Sequence, residues 1–181
     1  LESNDGVNFL KGGISRADAV TTVSKKYAQE IQTQEFGFGL EHHMQAHAHK
    51  IYGILNGIDY DEWNPSVDKL IAKKYDADDM SGKAVCKRDI QKHFGLELRE
   101  DVALIGFVGR FVEQKGIAMI ASILNSILDF DVQIIMLGTG EKWAEDFFSK
   151  TSYYRPNFAV HVGYSDALAH KIEAASDMFL M

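Results

Sequence analysis

Between Val102 and Leu128 an apolar run, V-A-L-I-G-F-V-G, ends at Arg110, a charged turn leads to Lys115-Gly116, and a long amphipathic segment begins. The succession reads as strand, turn, helix. Ile117, Ile120, Leu124 and Ile127 fall at i, i+3, i+7 and i+10, the stripe of a helix laid on a sheet. The same rhythm continues with strands at Val132 to Leu137 and Ala159 to Val162, helices at Lys142 to Ser149 and from Asp166, and a terminal apolar run, M-F-L-M. Strands separated by helical patterns of this length imply parallel βαβ units, and hence an α/β fold with a parallel sheet.

Upstream, Ile90 and Phe94 share a helical face and Gly95 is placed to stop that helix in a left-handed turn. The first section repeats the alternation more briefly. Asn8 to Arg16 reads as helix, Asp18 to Val23 as a β-branched strand, Ser24 as the cap of a helix over Lys25 to Thr33, and Ile51 to Leu55 as a short strand. From Ile58 to Gly82 no period is visible, and a linker with a short helix near Leu70 is expected, its acidic residues Asp76, Asp78 and Asp79 solvated. R-A-D-A-V-T-T-V near the start and A-S-D-M-F-L-M at the end share the order helix tail, Asp, strand, a weak sign of two similar α/β domains. The terminal run stops inside what reads as a buried strand and the first residue is not methionine, so more chain is expected on both sides.

Charge and cysteine content narrow the functional classes. A net charge of -7, with no block of Lys or Arg, argues against a nucleic-acid partner, because a phosphate backbone selects a basic face. A single cysteine, Cys86, excludes an internal disulfide and a thiolate zinc site. No apolar run approaches a membrane span, so no membrane partner is expected and a cytosolic type of chain is.

In an open α/β sheet, ligands settle outside the carboxyl ends of the strands, where helix N-termini offer unpaired N–H groups to an anion. Gly109-Arg110 and Lys115 occupy that place after the strand from Val102, which suits a diphosphate; solvated charges in a surface turn are the other reading. Gly138-Thr139-Gly140 follows the next strand, either as a backbone approach to phosphate or ribose or as a tight turn without a ligand. Trp143 stands where a dinucleotide fingerprint needs its third glycine. Tyr164 follows the strand after that, where its ring serves as packing or as a platform for a base. Asn56-Gly57 reads as a hinge with Asn56 facing a cleft, since no second hairpin strand follows it. The stretch E-H-H-M-Q-A-H-A-H has His43 and His47 four apart, but its order is wrong for a zinc helix, and an exposed polar loop is expected with no metal.

With these residues assembled, the chain resembles the bacterial and plant glycogen/starch synthases, a family of retaining glucosyltransferases of GT-B architecture with two Rossmann-like domains. The resemblance is carried by N-F-L-K-G-G-I-S-R-A-D-A-V-T-T-V-S-K-K-Y, G-I-L-N-G-I-D-Y-D-E-W-N-P, I-G-F-V-G-R-F-V-E-Q-K-G, M-L-G-T-G and V-G-Y-S-D-A-L-A-H-K-I-E-A-A-S-D. It implies that residues 1–55 end an acceptor-side domain, 56–82 form hinge and linker, and 83–181 begin the donor-side nucleotide-sugar domain. It implies catalytic roles for Asn56, Arg110 and Lys115, the last two on the donor diphosphate. Gly109, Gly138, Thr139 and Gly140 would lie beside the nucleotide, with Tyr164 stacking on its base.

The implied reaction moves glucose from ADP-glucose, or UDP-glucose, to the non-reducing end of an α-1,4-glucan with retention, without a metal or cofactor. The implied partners are a nucleotide-sugar donor and an α-glucan acceptor, in the cytoplasm or the plastid stroma. Two family elements, Lys-x-Gly-Gly-Leu and Phe-Glu-Pro-Cys-Gly-Leu, are not in this sequence, so the chain alone is expected to be inactive. The alternatives are a non-catalytic nucleotide- or glucan-binding module, or another GT-B transferase. The family more often has Leu where Phe111 stands.

Overall fold

The computed structural model describes residues 2, 3 and 6–181. The chain divides into two compact units, Leu1–Ile58 and Asp59–Met181.

In the first unit a two-stranded antiparallel pair, β1 (Glu2–Ser3) and β2 (Gly6–Val7), precedes α1 (Phe9–Arg16). Asn8 starts α1 by accepting from the Lys11 N–H at 2.9 Å. β3 (Val20–Val23) pairs in parallel with β4 (Ile51–Ile54), from Val20 opposite Ile51 to Val23 opposite Ile54. Ser24 caps α2 (Lys25–Glu30) through the Tyr27 N–H, as its sequence position suggests. The unit's buried apolar residues are few, Ile14, Ala28 and Ile31 among them.

The histidine-bearing stretch is not the loop expected from sequence. It forms α3 (Glu41–Ala46) and a 3-10 turn (Ala48–Lys50). His43 Nε2 lies 3.1 Å from the Lys11 carbonyl and 3.2 Å from Ser15 Oγ, while His47 Nδ1 bonds the His43 carbonyl at 2.9 Å. His43 docks α3 on α1, His47 closes the end of its own helix, and burial lowers the pKa of His43.

In the second unit the elements are α4 (Ser81–Phe94), β5 (Ala103–Val108), a 3-10 turn (Glu113–Lys115), α5 (Ile117–Leu128), β6 (Val132–Gly138), α6 (Lys142–Tyr154), β7 (Phe158–Val162), α7 (Asp166–Ala175) and β8 (Met178–Phe179). The sheet order is β7-β6-β5-β8, with every pairing parallel. Alternate residues of β6 feed two cores: Ile135 and Leu137 join Ile90, Leu168 and Ile172 on the α4/α7 face, and Ile134 and Met136 join Leu124, Phe148 and Phe158 on the α5/α6 face. A strand covered on both faces has no polar side, which is why β6 is a nearly continuous apolar run. Phe111, fully buried, lies 6.0 Å from Phe107 and 5.3 Å from Phe148 between ring centroids, so the larger residue at this position fills the α5/α6 core.

Residues 59–80 hold no helix, contrary to the short one expected near Leu70. Side-chain carboxylates and amides take the local N–H groups instead. Asn64 Oδ1 accepts from the Ser66 N–H, Asp68 Oδ1 from Leu70, and Asp76 Oδ1 from Asp78 and Asp79, and such turns compete directly with helix. The segment is fastened to the second unit: the Tyr75 hydroxyl donates to the Ala174 carbonyl at 2.8 Å, and Cys86 Sγ bonds the Lys73 carbonyl. Among the described residues no helix is long and apolar enough to cross a membrane.

Candidate functional site

The carboxyl ends of β5, β6 and β7 open together onto one pocket of about 220 Å³. Its wall includes Val108, Gly109 and Arg110 after β5, Gly138 and Thr139 after β6, and Gly163 and Tyr164 after β7. Ser165, Asp166 and Ala169 from the start of α7 complete it. A parallel sheet places such a crevice here because every strand ends on the same side and the chain must then turn toward its helix.

Gly109, Arg110, Gly138, Thr139 and Tyr164 are thus brought together, as the strand positions suggested. Arg110 is exposed, and among the described residues its guanidinium has no ion pair or side-chain hydrogen bond. Tyr164 is 89% exposed, so its ring face is open rather than packed. Gly140 and Lys115 do not line the pocket. Lys115 lies in the 3-10 turn before α5, exposed and likewise without a side-chain partner among the described residues. Gly116 then takes φ 68°, a left-handed conformation, and α5 begins with no side chain capping it. Its first N–H groups remain open to an anion. Asn56 lies in the other unit, past the end of β4, exposed.

The Gly138-Thr139-Gly140 loop owes its glycines to packing. A Cβ at Gly138 would run into the Gly109 carbonyl oxygen, and one at Gly140 into the backbone of Phe111. Phe111 donates its N–H to the Thr139 carbonyl at 2.9 Å and accepts from Glu141, so the two strand-end loops stay paired beyond the sheet. The Gly140 N–H is already committed to Glu145 Oε1 at 2.9 Å, and the Thr139 hydroxyl donates to the same oxygen at 2.6 Å. These bonds hold the Glu145 carboxyl below its ordinary pKa. The sequence reading did not single out Glu145; an acidic residue in the first turn of α6 was the available signal. It also passed over Ser165, which caps α7 by accepting from the Leu168 N–H, and Asp166 beside it.

A family model described as the starch synthase catalytic domain matches residues 1–46. Over its whole length the chain is 49% identical to glycogen synthase 1 of Geobacter metallireducens and 43% identical to soluble starch synthase 1, chloroplastic/amyloplastic, of Solanum tuberosum. It spans 36% and 28% of the lengths of those two relatives. Among solved structures it is similar to the catalytic domain of starch synthase IV from Arabidopsis thaliana bound to ADP and acarbose. That match has a TM-score of 0.91 and 36% identity, and covers 98% of this chain and 37% of that one.

Proposed function

We propose, from the premise that this chain belongs to the glycogen/starch synthase family along its whole length, that it carries much of the donor site of an α-1,4-glucosyltransferase of GT-B type. The observation that carries the reading is the convergence of Gly109, Arg110, Gly138, Thr139 and Tyr164 on one pocket at the ends of β5, β6 and β7. The donor is ADP-glucose and the acceptor the non-reducing end of an α-glucan; the matched starch synthase IV was solved bound to ADP and acarbose, and ADP is the nucleotide that ADP-glucose leaves behind. The compartment is the cytoplasm, or the plastid stroma in a plant or alga.

Chemically, the bond from glucose to the diphosphate breaks with negative charge building on the leaving oxygens. Arg110, whose guanidinium is unengaged among the described residues, offers two parallel N–H donors to phosphate. Lys115 and the open N-terminus of α5 supply a second cationic element. Groups fixed before the reaction stabilise that charge without reorganising, which is the usual source of the largest rate effect. The charge needs no metal ion for its neutralisation. Tyr164 offers its open ring face to the base. The acceptor hydroxyl attacks from the face on which the diphosphate leaves, its proton passing to a departing phosphate oxygen, and the new glycosidic bond retains configuration.

The deciding experiment measures glucose incorporation from ADP-glucose into glycogen by a full-length protein that contains this segment. Transfer that collapses in Arg110→Ala supports the reading. ADP binding without transfer in that full-length protein would instead make the site a non-catalytic nucleotide module.

A further inference from the structure

His170, on α7, is buried, and its ring stacks on Trp63 with centroids 3.9 Å apart and planes 14° apart. Its Nδ1 lies 2.8 Å from Asp68 Oδ2. An ionised carboxylate only accepts, so Nδ1 carries the hydrogen, and in the neutral ring Nε2 presents a lone pair. That atom is buried and without a hydrogen-bond partner. Asp166 Oδ2 is 3.9 Å from it, beyond hydrogen-bond reach. Glu62 completes a group in which one ligand atom from each of Glu62, Asp166 and His170 lies within 4.8 Å of the others. A nitrogen lone pair facing two carboxylates in a partly dry place is unfavourable until a positive charge stands between them.

We propose that Glu62, Asp166 and His170 bind one divalent transition-metal ion, with Asp68 as the residue that fixes the His170 tautomer. One imidazole nitrogen and two carboxylate oxygens suit Zn²⁺ or Mn²⁺ better than Ca²⁺, which takes oxygen ligands. A carboxylate on the far nitrogen is the common way a metal-bound histidine is held. Glu62 and Asp166 are exposed, so their side chains have the freedom to close on metal–ligand bonds of about 2 Å. Entry is provided by a neighbouring cavity of about 400 Å³ whose wall includes Asp59, Asp61, Glu62, Asp68 and His170. Its acidic wall raises the local cation concentration.

Two consequences follow for the second unit. The ion ties the irregular segment around Glu62 to α7, adding to the Asp68 contact. It also neutralises Asp166, which lines the strand-end pocket, and so favours an anion there. The ion touches no reacting group of the proposed transfer, and its binding is tested without that activity.

The test uses the untagged chain, stripped with a chelator and titrated calorimetrically with Zn²⁺ and, separately, Mn²⁺. The expected result is one ion per chain for at least one metal, a raised melting temperature, and affinity about tenfold weaker or worse in Glu62→Gln. Glu62 is exposed, so this variant keeps the fold; Asp68→Asn, with metal-free melting as its control, should weaken binding by roughly ten- to a hundredfold. Absence of binding of both ions up to roughly 1 mM overturns the site. So does an affinity within about twofold of the original in Glu62→Gln.

Discussion

Glu145 Oε1 accepts a hydrogen bond from the Thr139 hydroxyl at 2.6 Å, and the same oxygen accepts from the Gly140 N–H at 2.9 Å. One carboxylate in the first turn of α6 therefore sets the shape of the loop that walls the strand-end pocket. Because both bonds favour the ionised form, the Glu145 pKa lies below the ordinary glutamate value. The folded-state value is the depressed one, so the stabilisation is complete above the ordinary range and is lost as pH falls through the folded value. The Gly140 amide resonance should titrate with a midpoint below the ordinary glutamate value. In Glu145→Gln that titration should vanish; a midpoint at or above the ordinary value would contradict the two bonds.

Gly138→Ala and Gly116→Ala separate two reasons for glycine. The first puts a methyl group against the Gly109 carbonyl, backbone on backbone, and should cost about 3 kcal/mol, the upper end of overpacking penalties. The second has open space, and its cost comes from φ 68° alone, about 1 kcal/mol. Gly116→Asn should recover part of it, because asparagine tolerates the left-handed region. Urea denaturation of the three variants gives the order; equal losses for the two alanines would refute the packing account of Gly138.

Replacing Arg110 or Lys115 by Ala in a full-length synthase carrying this segment should lower kcat by on the order of a hundredfold, since the contact strengthens as the leaving group gains charge. Steady-state kinetics with ADP-glucose decide it. A rise in KM with kcat intact would mean equal binding of substrate and transition state, and the assigned role would fail.

What the sequence made legible follows from locality. The stripe Ile117, Ile120, Leu124 and Ile127 is buried or half-buried on α5, and the runs at β5 and β6 are strands, because side-chain period reports which face is covered. The left-handed Gly95 and the Ser24 cap were readable for the same reason, each acting within a few residues. Residues 59–80 misled because Asn64, Asp68 and Asp76 each satisfy nearby N–H groups and replace a helix that the apolar residues around Leu70 suggest. The Asp68–His170 contact joins positions 102 residues apart, and nothing local in either segment announces it. Strand ends that carry Arg110, Gly138 and Tyr164 to one pocket were inferable from topology, whereas the bond from the Gly140 N–H to Glu145 depends on a side chain from the next helix that spacing alone does not announce.

Lys87 is the buried cation whose loss should be felt most. Its ammonium, on α4, bonds the Val102 carbonyl at 2.5 Å, the Glu100 carbonyl at 3.2 Å and Asp177 Oδ2 at 2.7 Å. Asp177 Oδ2 also accepts the Leu104 N–H at 2.8 Å, while the Asp177 N–H donates to the Leu104 carbonyl, so one ion pair joins α4 to the entries of β5 and β8. In Lys87→Met the volume is nearly kept, but the Val102 and Glu100 carbonyls lose the ammonium and the Asp177 carboxylate keeps only the Leu104 N–H. Asp177 is 39% exposed and keeps the Leu104 N–H, so the loss comes mainly from the carbonyls left without a donor and should be about 1–2 kcal/mol. Adding Asp177→Asn should return part of that loss, because an amide oxygen still accepts from the Leu104 N–H and no longer carries an unpaired charge. Urea unfolding of the single and double variants measures both quantities; a single variant within about 0.5 kcal/mol of the original would mean that water replaces the ammonium at no cost.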